Sequence, residues 1–210
     1  MTLAPSPLQL PWDLRLTPEQ FERVCQANPD AVLELAADGQ LIAMTPTGGE
    51  TGSRNQTLGA LLWLAVRQSG LPLKLFDSST GFRLPDRSVL SPDAALVRLE
   101  RWQALTPEQR RSFPPLCPDL VVELATPSVA AGFSEGVAGP RGVNALRQKM
   151  ELYRRNGAQL GWLLLPAEQA VEVWCANVAS PPERLQPADA LDAGDLFPGL
   201  RLELAEVWAG

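Results

Sequence analysis

Two stretches decide the fold: CPDLVVELATPS at residues 117–128 and NALRQKMELYRRNG at residues 144–157. DLVVEL is a continuous apolar run of strand length, broken by one acid, Glu123. Runs of this kind belong to central strands covered on both faces. In the second stretch, a rotation of about 100° per residue puts Leu146, Lys149, Met150 and Tyr153 on one stripe. Arg147, Glu151 and Arg154 fall mainly outside it. The pair therefore predicts a buried strand followed by a helix whose apolar stripe carries a lysine. A carboxylate inside a buried strand and an ammonium on a buried helix face are both costly placements.

Outward from this unit, helices and strands alternate, which predicts an α/β fold with a mixed central β-sheet flanked by helices. Residues 1–16 are punctuated by proline and read as extended. Thr17-Pro18-Glu19-Gln20 is a helix start, with threonine at the N-cap and proline at the first helical position. AVLEL and QLIAM flank Ala37-Asp38-Gly39, a β-hairpin signal. Residues 47–52 read as a glycine-rich loop, and SRNQTLGALLWLAVRQSG as a mostly buried helix. LKLF and SPDAALVRL read as strands, the latter with Asp93 at its start. DSSTGFRLPDRSV is turn-rich and holds a further strand, and TPEQRRSF a short helix. Residues 126–142 are rich in glycine and read as a mobile loop, with 129–142 as an insertion. LGWLLL and AVEVW are two more strands, and LFPGLRLELAEVW a short strand or a helical docking segment. The 210 residues show no internal repeat and are expected to form one domain.

Composition narrows the chemistry. Hydrophobic residues make up 45% and charged residues 20%, which is globular rather than disordered. No apolar run approaches the roughly 18–20 residues of a membrane-spanning helix. No basic segment precedes an apolar one at the N-terminus, so no signal peptide is expected. Cys25, Cys117 and Cys175 are odd in number and far apart, which points to a reducing, cytoplasmic setting. There is no histidine, which removes Ser-His and Cys-His catalysis and most zinc sites. Any metal must be held by carboxylates, carbonyls and water, favouring Mg²⁺, Mn²⁺ or Ca²⁺. The net charge of −6 argues against a nucleic-acid packaging role, though not against locally basic residues. Of 18 basic residues only Lys74 and Lys149 are lysine, and a lysine can titrate where an arginine effectively cannot.

Two Pro-Asp pairs precede Glu123: Pro92-Asp93 and Pro118-Asp119. Asp119 and Glu123 share a strand and stand roughly 13 Å apart at about 3.3 Å per residue. That is too far to share an ion held at about 2.1–2.5 Å. Asp93 lies on a different strand and can face Glu123 if the two strands pair. The metal is therefore assigned to Asp93 and Glu123, with Asp119 a strand-entry residue. Each assignment has a structural alternative. Glu123 would otherwise pair with an arginine, Asp93 would cap a turn, and Lys149 would snorkel its ammonium to solvent.

With these motifs in place, the chain resembles the Uma-type restriction-endonuclease-like family of the PD-(D/E)XK nuclease superfamily. The resemblance runs through TPTGGETGSRN (45–55), KLFDSSTGFRLP (74–85), SPDAALV (91–97), PDLVVELATPS (118–128), LRQKMELYRRNGAQLGWLL (146–164) and LFPGLRLELAEVW (196–208). It implies a nuclease core in which Asp93 and Glu123 bind Mg²⁺ or Mn²⁺. It also implies that the lysine usually found two residues after the acid has migrated to the helix as Lys149. Ala125 occupies the vacated place. Glu50 is similar to an acid found ahead of the first core helix. Its two readings are completion of the metal shell and complementing the helix dipole. The chain departs from the family in the 129–142 insertion, in Thr126 where serine is usual, and in Trp162-Leu163-Leu164-Leu165-Pro166, which lacks an aspartate before the proline.

The activity so implied is hydrolysis of DNA phosphodiester bonds, with Asp93, Glu123 and Lys149 as the catalytic set. Replacing Lys149 by alanine is then expected to abolish cleavage and leave folding intact. Arg147, Arg154 and Arg155 either contact phosphates or form a solvated helix face. A homodimer would bring two such sites to one duplex. The alternative is a nuclease-fold protein without catalysis, serving as a binding or oligomerisation module.

Overall fold

The computed structural model describes residues 11, 13–44, 47–125, 142–176 and 180–210. Nearly all of the expected 126–142 loop lies outside these residues, as does most of the N-terminal extended stretch. In chain order the elements are α1 (Pro18–Ala27), β1 (Val32–Leu35), β2 (Leu41–Met44), α2 (Gly49–Ser69), β3 (Leu73–Asp77), β4 (Phe82–Arg83), β5 (Val89–Leu90) and β6 (Ala94–Arg98). Then come α3 (Leu99–Gln103), α4 (Pro107–Arg111), β7 (Leu120–Leu124), α5 (Val143–Arg155), β8 (Leu160–Leu165) and β9 (Ala170–Cys175). The chain closes with β10 (Glu183–Leu185), β11 (Ala190–Asp192), β12 (Arg201–Glu203) and α6 (Ala205–Ala209). Among the described residues, no helix is long and apolar enough to cross a membrane.

Six strands form the main sheet in the order β10-β9-β8-β7-β6-β3. β7 and β8 pair in parallel and the other neighbours antiparallel, so the sheet is mixed, as expected. The parallel step is possible because α5 occupies the crossover between β7 and β8. A second sheet, β2-β1-β5-β4, carries the N-terminal hairpin, and β11 and β12 form a small ribbon.

Strand alternation sorts β7 between two cores. Leu120, Val122 and Leu124 pack with Leu58, Leu62, Ala65 and Val66 of α2. Val121 packs with Leu146, Met150 and Tyr153 of α5. Glu123 shares the parity of Val121 and so belongs to the α5 face. On α5 the stripe Leu146, Met150 and Tyr153 is buried, as the helical spacing requires. A third, smaller core of Phe21, Leu33, Leu35 and Val89 ties α1 to the second sheet.

Several boundaries differ from the sequence expectation. α2 begins at Gly49, so residues 49–52 of the glycine-rich loop are its first turn; Gly48 caps it with no side-chain bond, leaving no capping signature to read. The turn-rich passage holds two short strands, β4 and β5, rather than one. The unread α3, β10 and β11 are three to five residues long, too short to show a period. The C-terminal segment is both strand and helix, β12 followed by α6.

The height of α5 above the sheet is set at Gly161 on β8. A Cβ there would run into the Cε of Met150, with Trp174 Cβ and Val121 Cγ2 each at 3.4 Å. The methionine end is flexible and can swing aside; the other two neighbours cannot. Gly161→Ala should therefore change stability by less than about 1 kcal/mol, whereas Gly161→Val should cost about 1–3 kcal/mol through overpacking. Denaturant unfolding of the two variants checks this.

Candidate active site

The site is built around Lys149, which α5 carries on its buried stripe. Its Nζ lies 2.8 Å from Glu34 Oε1 and 3.0 Å from Glu123 Oε1, and donates to the Ser91 carbonyl at 2.8 Å. The ammonium thus lies within 3.0 Å of three oxygens, although Glu123 Oε1 has no hydrogen-bond partner among the described residues and meets it as an ion pair. The side chain is only 11% exposed, so the ammonium does not snorkel to solvent. The ring of Tyr153, one turn further along α5, lies 5.9 Å from Nζ.

Glu34 is a functional candidate that the sequence reading passed over. It sits in the middle of β1, where Leu33 and Leu35 face the Phe21 core and Glu34 points the other way. It is buried, and its Oε1 also accepts the Ser91 backbone N–H at 2.7 Å. The signal was present: Val32-Leu33-Glu34-Leu35 is the same pattern as Val121-Val122-Glu123-Leu124, an acid within an apolar strand. It was hidden because a hairpin strand is ordinarily solvated on one face, where an acid costs nothing.

β6 and β7 pair antiparallel, the register ending at Ala94 opposite Val122, so Asp93 and Glu123 flank that last pair. Asp93 Oδ2 accepts the Leu124 N–H at 2.8 Å, and Oδ1 accepts from Asn55 Nδ2 on α2 at 3.3 Å. The carboxylate is thereby fixed at the mouth of the two strands. Asp119 is occupied elsewhere. It is fully buried, accepts the Arg98 N–H at 2.8 Å and pairs with Arg101 at 2.9 Å, which makes it the strand-entry residue expected.

The remaining candidates are placed apart from this cluster. Glu50 is 67% exposed in the first turn of α2 and pairs with Arg54 at 2.7 Å. Arg147 grips the buried Glu172 of β9 with its Nε at 3.1 Å from both carboxylate oxygens. Arg154 is turned inward, 8% exposed, bonded to Glu151 and to the Ser180 carbonyl, over the Trp174 ring. Of the three arginines only Arg155 is well exposed, at 66%, and it too reaches Glu151. Arg147 and Arg154 are therefore both engaged in intramolecular pairs. A guanidinium closed on a neighbouring carboxylate has already spent its directional donors.

The electrostatics follow from the burial. Burial pushes the Glu123 carboxyl up to about 8; Lys149 opposes this, while Asp93 and Glu34 add to it. Burial works against the Lys149 ammonium, yet Glu123, Glu34 and Asp93 hold its pKa above the usual lysine value. Tyr153 is raised by burial, then by Glu123 and Glu34. Lys149 offsets only part of the rise that burial imposes on Glu123.

That shortfall is the fit test for a divalent ion. Among the described residues, no three Cys, Asp or Glu side chains converge on one point. Two carboxylates with water suffice for Mg²⁺, which commonly keeps several waters and takes only one or two carboxylates. Asp93 and Glu123, which flank the last register pair of β6 and β7 and interact electrostatically, are such a pair. The all-oxygen donor set and the undercharged Glu123 suit a hard cation.

The buried pairs of Lys149 set a different expectation from removal without loss of folding. Lys149→Met leaves Glu34 and Glu123 buried without their shared cation, and should cost about 3–5 kcal/mol at neutral pH. Denaturant titration reads this directly. The raised Glu123 also gives a pH signature in metal-free buffer. The folded state binds that proton more tightly than the unfolded chain, so stability falls as pH rises from about 4.5 towards 8. Glu123→Gln should flatten that slope, as melting temperatures across the window will show.

Comparison with known proteins agrees with this architecture. The profile of the Uma2 family, described as "Putative restriction endonuclease", matches residues 18–205. A solved structure from Anabaena variabilis ATCC 29413, described as a putative nuclease belonging to DUF820, shares the fold with a TM-score of 0.69. It is 16% identical, and the match covers 92% of this chain and 98% of that one. No curated protein matches the chain. A family match that runs from α1 to the start of α6 and takes in Asp93, Glu123 and Lys149 shows that the chain belongs to the Uma2 family.

Proposed function

We propose that the protein is a metal-dependent endonuclease that hydrolyses DNA phosphodiester bonds, using Mg²⁺ or Mn²⁺ at Asp93 and Glu123. The observation that carries this reading is the placement of Asp93 and Glu123 beside the last register pair of β6 and β7, with the Lys149 ammonium 3.0 Å from Glu123. When bound, the ion supplies Lewis-acid polarisation of a phosphoryl oxygen and a more acidic water. The chain's own residues supply the rest. Asp93 is held for binding by the Leu124 N–H and Asn55. Glu123 must give up its proton to bind, which favours neutral to alkaline conditions. Lys149 stays protonated, so its role is to stabilise negative charge developing on the phosphate rather than to accept a proton.

The substrate is DNA, and Arg155 is the α5 arginine with the exposure to meet its backbone. Glu50 and its Arg54 partner stand on the first turns of α2, ahead of Asn55, where they could join only if their pair opened. The protein acts in the cytoplasm, and two copies would cut both strands of a duplex. A second reading, a nuclease fold kept for binding or assembly, is favoured by the closed Lys149 set and by the net charge of −6. Calorimetric titration with Mn²⁺ separates the two, since only the enzyme reading requires binding at millimolar metal.

Cleavage of supercoiled plasmid with Mg²⁺ or Mn²⁺ tests the activity. Asp93→Asn is the variant of choice, because asparagine can still accept the Leu124 N–H. Its amide can donate to the Asn55 Oδ1, which has no hydrogen bond among the described residues. It should fold normally and lose cleavage by about 100-fold or more, as expected when a metal carboxylate is neutralised. Wild-type rates from a folded Asp93→Asn would reject the site.

A further inference from the structure

We propose that Glu34 is a positioning residue of the same site: from the second sheet, it anchors the Lys149 ammonium beside Glu123. The inference rests on the nuclease reading for its consequence, and on geometry alone for the anchoring. Glu34 is as deeply buried as Glu123, with side-chain exposures of 4% and 3%. Its Oε1 takes both Lys149 Nζ at 2.8 Å and the Ser91 N–H at 2.7 Å. Lys149 in turn donates to the Ser91 carbonyl at 2.8 Å. Carboxylate, ammonium and one peptide residue therefore close a ring. Ser91 lies two residues before Asp93, between β5 and β6, so the ring also ties the lysine to the segment that carries the metal acid.

The need for this anchor appears once Glu123 binds a cation. Glu123 would then share its charge with the ion, and the neighbouring ammonium would be repelled by it. A second carboxylate paired with Lys149 would hold the ammonium where a phosphate could meet it. Supporting groups of this kind typically change metal affinity or activity by about 10–100-fold when neutralised.

The chain has only two lysines, so ¹⁵Nζ-lysine labelling gives two ammonium signals, Lys74 and Lys149. In metal-free wild type the Lys149 signal should be slowly exchanging, since the ammonium is buried, pairs with Glu34 and donates to the Ser91 carbonyl. In Glu34→Gln it should shift and exchange at least about tenfold faster, with Lys74 unmoved. Mn²⁺ affinity should fall by about 10–100-fold in the same variant. Glu34→Asp, which keeps the charge, should fold and recover part of both effects, and carries the test if Glu34→Gln does not fold. A Lys149 signal unchanged in position and exchange overturns the anchoring. A shifted signal with wild-type Mn²⁺ affinity overturns the positioning role. If wild type binds no Mn²⁺, the nuclease reading and the positioning role fall together, while the resonance still decides the anchoring.

Discussion

One buried ammonium has to satisfy two buried carboxylates, and much of the molecule is arranged so that it can. Isolated, each of these charges would cost several kcal/mol to bury. Together, with the Ser91 carbonyl accepting from the lysine, they form a closed set. The set draws on three separate parts of the chain. Glu34 comes from the hairpin sheet, Glu123 from the centre of the main sheet, and Lys149 from the crossover helix. No two of them can be placed without fixing the packing of the elements that carry them.

The main sheet provides the rest of the geometry. Alternation along β7 sends Val122 and Leu124 into the α2 core and Glu123 to the α5 face, so the acid meets the helix that follows it in sequence. Antiparallel pairing with β6 brings in Asp93 from about 30 residues upstream. The site therefore sits at the end of a strand pair and under a helix, where rigid elements rather than loops hold the acids. The Leu165 position, where the family resemblance leads one to expect an aspartate, is buried and apolar on the same face. Any third carboxylate for an ion would have to come from outside the strands already named.

The central part of this arrangement was legible in the sequence because each piece left a local mark. A continuous apolar run marked β7, period 3.6 marked α5, and reach along a strand excluded Asp119. The parts that were not legible share a physical cause. Glu34 lies on a hairpin, and nothing local says that its outward face is covered by α5. Arg147 and Arg154 fall off the apolar stripe, yet their long side chains reach Glu172 on β9 and the Trp174 ring. Both cases turn on contacts made between elements, which a one-dimensional pattern does not carry. The edge strand β10 and the first turn of α2 were missed for a different reason, since neither carries the signals that mark ends and periods.

The same geometry explains why position 149 is lysine in a chain that otherwise almost always uses arginine. Glu34 Oε1, Glu123 Oε1 and the Ser91 carbonyl converge on a single atom from three directions. An ammonium carries its charge and its donors on one centre and lies within 3.0 Å of all three. A guanidinium spreads its donors over a planar fork and matches a carboxylate edge-on instead. That fork is what the chain uses where it needs it, as Arg147 grips both oxygens of Glu172 with one Nε. Exchanging Lys149 for arginine would therefore preserve the charge and lose the fit, because the larger planar group has no place among three oxygens already within 3.0 Å of one point.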